Sequence, residues 1–115
     1  MNIAIVEDEE AHSRLLCQYI STWGEVRGKT VHVLNYKKAE SFLFDLEDSV
    51  PDAVFTDIQM PGMNGMEMIR KLREKDSEMP VVFTSGLSDF LQEGYEVQAL
   101  HYLVKPISQE KVFEC

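Results

Sequence analysis

AVFTDIQMPGMNG, residues 53–65, joins a short apolar run to an aspartate and then to a proline and two glycines. A strand that simply ends would explain the turn residues, because Asp, Pro and Gly are common turn formers. The alternative is that Asp57 is carried out of a buried sheet and presented as a nucleophile. Which reading holds depends on what the other strands bring to the same place.

Apolar runs like the one before Asp57 recur along the chain: IAIV (3–6), VHVL (31–34), AVFT (53–56), VVFTS (81–85) and HYLV (101–104). Three are nearly continuous rather than alternating, as expected of parallel strands covered on both faces. Helical spacing separates them. Ala11, Leu15, Leu16, Tyr19, Ile20 and Trp23 share one face, as do Ala39, Phe42, Leu43 and Leu46. Met66, Ile69 and Leu72 form a third stripe before a break at Ser77 to Pro80. Leu87, Leu91 and Tyr95 mark a fourth, weaker helix interrupted by Gly94. A last helix is expected to start near Ser108 and to be cut short at Cys115. Five alternations of strand and helix predict an α/β domain over residues 1–115. Its sheet is expected to be five-stranded, parallel, doubly wound and flavodoxin-like, in strand order 2-1-3-4-5.

In such sheets the ligand site lies beyond the carboxyl ends of the strands. There the sequence places Glu7 and Asp8 after strand one, Asp57 after strand three, Ser85 at the end of strand four and Lys105 after strand five. Three carboxylates in one crevice repel each other and raise at least one pKa. A hard divalent cation such as Mg²⁺ relieves this, and its oxygen preference fits the donors. Gln59 is expected to add its backbone carbonyl, leaving its side chain free. Lys105 supplies a compact cation for a phosphoryl group, Ser85 a hydroxyl donor, and Asp57 a nucleophile able to form an acyl phosphate. Pro61 fixes the chain direction, Gly62 is expected to allow a close backbone approach to the metal region, and Asn64 with Gly65 starts the third helix from a cap. Thr84 adjoins Ser85, and a one-residue slip would exchange them. No P-loop is present, so the phosphoryl donor must be a partner or a small molecule.

The formal net charge of −9 over 115 residues argues against direct binding to nucleic acid or anionic lipid. No secretory signal or membrane-spanning run is visible, and Cys17 and Cys115 lack the close spacing of a metal or redox pair, which favours a cytoplasmic setting. Glu9, Glu10 and His12 read as a solvated first helical turn, where acids suit the helix N-terminus. His32 and His101 read as ordinary strand residues, and Met60, Met63, Met66 and Met68 as loop and core filling.

VEDEE, TDIQMPGMNG, VVFTSG and YLVKPI, in this order and spacing over the whole chain, resemble the receiver domain of bacterial two-component response regulators. The resemblance implies that Asp57 is the phosphoacceptor, and that Asp8 and Asp57 bind Mg²⁺ directly with the Gln59 carbonyl, Glu7 acting through water. It also implies that Ser85 is the switch hydroxyl, Tyr102 the switch aromatic and Lys105 the family's lysine, before a cis Lys105–Pro106 bond. A sensor histidine kinase would be the donor. The output would be an attached C-terminal effector domain outside this chain, or dimerisation. GYEVQALHYLVKPI is similar to receivers joined to LytTR-type DNA-binding domains, although those typically carry Asp where this chain has His101. A stand-alone regulator and a pseudo-receiver interaction module are the alternatives. A phosphatase of the haloacid dehalogenase type would want an acid at Gln59, and a flavodoxin proper a hydroxyl-rich loop where VEDEE stands. Gln59 and Leu87 flank the expected pocket and would set the lifetime of a phosphoaspartate.

Overall fold

The computed structural model describes residues 1–75, 78–86 and 91–114, without the side chain of Leu91. The expected positions Ser77, Leu87 and Cys115 lie outside the described residues. The elements run β1 (Asn2–Val6), α1 (Glu10–Arg27), β2 (His32–Tyr36), α2 (Ala39–Leu46), β3 (Ala53–Thr56), α3 (Gly65–Lys75), β4 (Val81–Ser85), α4 (Leu91–Glu96), β5 (His101–Val104) and α5 (Gln109–Glu114). The five strands form one parallel sheet in the order β2-β1-β3-β4-β5, as the alternation of the sequence predicted.

Side-chain alternation divides the sheet between two apolar clusters. Ala4, Val6, Val54, Val81 and Phe83 pack with α2 and α3, whereas Ile3, Ile5, Phe55, Val82 and Leu103 pack with Leu16 and Ile20 of α1 and Val112 of α5. The continuous apolar runs are therefore explained: inner strands need grease on both faces. β2, an edge strand, has Val33, Leu34 and Tyr36 half-buried and His32 and Asn35 exposed, and it begins and ends later than VHVL indicates. Asn35 and Tyr36 belong to it because they pair with Ile5 and Val6.

Two helix stripes depart from expectation. In α1 the buried positions are Leu16, Ile20 and Gly24, while Ala11 and Leu15 face solvent. In α4 the expected apolar position Tyr95 is 80% exposed. Among the described positions of α4 the buried one is Gly94, where an added Cβ would sit 3.2 Å from the Tyr102 ring and 3.5 Å from that of Phe83. Gly94 does not interrupt this helix. Its lack of a side chain lets α4 lie against the rings on β4 and β5. Arg73 of α3 fastens the carboxyl end of α4, donating to the carbonyls of Val97 and Gln98 at 2.8 and 3.2 Å, and to that of Met79 at 2.8 Å.

Candidate functional site

β1, β3 and the edge strand β5 each deliver a charged residue one step past their ends. The ladder continues there: Glu7 N–H donates to Tyr36 O (2.9 Å), Asp57 N–H to Val6 O (2.9 Å) and Lys105 N–H to Ser85 O (2.7 Å). Alternation then fixes the direction. Glu7 follows Ile3 and Ile5, Asp57 follows Phe55, and Lys105 follows Leu103, so all three share the face covered by α1 and α5. By the same parity Ser85 and Tyr102 take the opposite face with Phe83. The Tyr102 ring lies 6.0 Å from that of Phe83.

Glu7 and Asp57 are almost fully buried, at 4% and 5% exposure. Lys105 Nζ donates to Glu7 Oε1 at 2.7 Å and to Asp57 Oδ2 at 3.3 Å, with 14% of its side chain exposed. The other Asp57 oxygen accepts from Ile58 N–H at 2.7 Å, and the second Glu7 oxygen from Glu9 N–H at 3.3 Å. Glu7, Asp8 and Asp57 each offer an oxygen within 4.8 Å of the others. Burial pushes the Glu7 carboxyl from its ordinary 4.5 up to about 7; the Lys105 hydrogen bond opposes this and the Asp57 charge adds to it. For Lys105, burial works against the charge, but the Glu7 hydrogen bond and the charges of Asp57 and Glu7 outweigh it and hold the ammonium above its ordinary range.

This donor set suits a small, hard divalent cation. It is all oxygen, it converges on one point, and it leaves excess negative charge that one lysine does not balance.

The turn after Asp57 works differently from the expectation. Gly62 does not approach the carboxylates: it holds a left-handed φ of 79° and faces the Glu40 carboxylate of α2. The close approach is at Gly65, where a Cβ would collide with the carbonyl oxygen of Asp57. Asn64 caps α3 as expected, its Oδ1 accepting from Glu67 N–H at 2.8 Å. Gln59 is exposed two residues past Asp57, and Met60, Met66 and Met68 are buried filling. Ser85 ends β4 fully buried, while Thr84 turns to the other face of the sheet. The Lys105–Pro106 bond is cis.

One residue was missed. His12, read from the sequence as part of a solvated turn, places Nδ1 2.9 Å from Lys105 Nζ and 3.6 Å from Glu7 Oε1. Its only sequence signal is that it stands four residues after Asp8, in the first turn of the helix that leaves the acidic pair.

Comparison with known proteins identifies the family and the fold. The response regulator receiver domain family matches residues 3–115. The positive alginate biosynthesis regulatory protein of Pseudomonas aeruginosa is 32% identical over 99% of this chain and 45% of its own length. The sensory transduction protein LytT of Bacillus cereus is 30% identical over 96% of this chain and 44% of its own. The chain thus spans less than half the length of these curated relatives. In fold it is similar to the response regulatory domain of mrkE from Klebsiella pneumoniae, with a TM-score of 0.89 at 23% identity over 99% of this chain and 90% of that one. A Mg²⁺–BeF complex of the response regulator TrrA from Thermotoga maritima gives 0.85 at 23% identity over 98% and 93%. With the sheet order, the four charged residues at its carboxyl edge and a match over nearly its full length, this chain belongs to the response regulator receiver domain family.

Proposed function

We propose that the chain is a phosphorylation-dependent switch with Asp57 as phosphoacceptor. The observation that carries this reading is Lys105 Nζ lying within hydrogen-bond reach of both Glu7 and Asp57, in a crevice where three carboxylates converge. An Asp57 oxygen attacks the phosphorus of a histidine kinase's phosphohistidine. The O–P bond forms, the P–N bond breaks, and the imidazole leaves with the electron pair. Lys105 meets the transferred oxygens as a point charge. Asp8, Asp57 and the Gln59 carbonyl would hold Mg²⁺, with Glu7 acting through water, and the ion when bound supplies charge neutralisation for the phosphoryl oxygens. Ser85 is drawn toward the new group and Tyr102 turns inward, changing the surface formed by α4, β5 and α5. The phosphoryl group acts by favouring one of two states already present.

The output is an attached C-terminal effector, of the LytTR DNA-binding type by kinship to LytT, or a phosphorylation-dependent homodimer. The setting is cytoplasmic; among the described residues no helix is long and apolar enough to cross a membrane. Intact mass after incubation with acetyl phosphate tests the acceptor. One added phosphoryl that needs both Mg²⁺ and Asp57 is the expected result. An Asp57→Asn protein that gains the same adduct at full stoichiometry removes the assignment.

A further inference from the structure

We propose that His12 is a positioning residue for Lys105, holding its ammonium on the α1 side of the crevice so that it meets the phosphoryl group in one orientation. The inference rests on the reading of Asp57 as phosphoacceptor and deepens it.

An ammonium has three hydrogens to donate and no acceptor of its own. Lys105 directs them at three atoms: Glu7 Oε1 at 2.7 Å, His12 Nδ1 at 2.9 Å and Asp57 Oδ2 at 3.3 Å. The two shorter contacts anchor the group, and the longest points at the reacting carboxylate. When that carboxylate gains a phosphoryl group, the third hydrogen is the one to turn, while Glu7 and His12 keep the nitrogen where it is. A lysine side chain has four rotatable bonds and much freedom to lose, so a second anchor narrows where its charge sits.

For Nδ1 to accept from Lys105, its lone pair must be free and the ring proton must sit on Nε2. A hydrogen on Nδ1 would instead set two donors against each other at 2.9 Å. Glu9 Oε2 also lies 3.2 Å from Nδ1, but its side chain is 62% exposed and can turn into solvent at little cost. Lys105 is largely enclosed and has no such escape. The Lys105 contact is also the shorter of the two, so it decides the orientation of the ring.

The experiment follows phosphoryl uptake from acetyl phosphate with Mg²⁺ in the wild type, His12→Ala and His12→Asn, with melting temperatures of all three. The Asn carbonyl oxygen can stand where Nδ1 stands and accept in its place. His12→Ala is expected to slow uptake at saturating donor by about tenfold, the worth of one lost charge-assisted hydrogen bond, with the half-saturating donor concentration unchanged. His12→Asn is expected to return to within about threefold of the wild type. His12→Ala at the wild-type rate, or His12→Asn as slow as His12→Ala, overturns the proposal. If the wild type gains no phosphoryl at all, the acceptor reading fails instead. The positioning is then read from the exchange of the Lys105 ammonium hydrogens by NMR. Exchange slowed in wild type and His12→Asn but fast in His12→Ala supports it; equal exchange in all three refutes it.

Discussion

The two ends of the sheet follow opposite rules. Around the amino ends of the strands, Ile3, Ile20, Trp23, Phe55, Val82 and Val112 line an almost wholly apolar cavity of about 240 Å³. Around the carboxyl ends, Glu7, Asp57 and Lys105 bring three ionisable groups into surroundings nearly as dry. At the first end the stabilisation comes from the packed core residues Ile3, Ile20, Phe55, Val82 and Val112, whose burial removes apolar surface from water. The second costs stability, because carboxylates are desolvated beside one another, and one of them answers by moving its pKa to about 7. Local rules of foldability are broken where the chemistry is proposed, and the opposite end of the same strands holds the sheet together.

The largest effect that could break this contrast is Gly65→Ala. A Cβ there meets the Asp57 carbonyl, backbone against backbone, so urea unfolding should show a loss of about 3 kcal/mol or more. Gly86→Ala, with no atom of the described residues within 4 Å of its new methyl, should stay within about 0.5 kcal/mol. If both changes cost the same, the close fit under Asp57 is not what constrains that end. At the apolar end, Ile20→Ala should cost about 2–4 kcal/mol while leaving phosphoryl uptake per folded molecule unchanged. Slower uptake would mean that the two ends are not independent.

Smaller, and opposite in sign, is Glu7→Gln. In chelator at pH 8 it should raise stability by about 1–2 kcal/mol, because it mimics the protonated acid that burial favours. The wild type carries the same signature in its pH dependence. Between about 4.5 and 7 the folded form holds a proton on Glu7 that the unfolded chain releases, so stability falls as pH rises through that window and levels off above it. Urea midpoints that rise across the window would reverse the argument. The smallest effect belongs to Tyr36, whose pKa is raised by burial and by the Asp45 carboxylate that its hydroxyl faces. Stability should drop as pH passes 10, by less than about 1 kcal/mol given the solvent around the ring, and Asp45→Asn should reduce the drop. A melting temperature as flat above pH 10 in the wild type as in the variant would remove that contact from the account.

The sheet order was legible because the inner strands are apolar throughout, and continuous runs separated by helical spacing admit few other folds. The charged residues were legible for a related reason: a carboxylate or lysine directly after such a run has nowhere to go but the sheet's edge. What stayed hidden depended on contacts between elements. Asn35 and Tyr36 look too polar for a strand until their pairing with β1 is known. Gly94 reads as a helix breaker on intrinsic propensity, yet it is the residue that brings α4 onto Tyr102 and Phe83. His12 is polar, early in a helix and surrounded by acids, which describes any solvated first turn. Only the path of β5, from the far side of the sheet, brings Lys105 to it.

The loop between β3 and α3 is closed on itself: Gly65 N–H donates to Ile58 O at 2.8 Å while Ile58 and Met60 are tucked inward. It is therefore a measured span, anchored at both ends within one residue of Asp57 or its carbonyl. Exposed positions on it, such as Gln59, are free to change identity, but an inserted or deleted residue would pull Gly65 out of its seat and take the direction of Asp57 with it. Its composition is open to variation and its length is not.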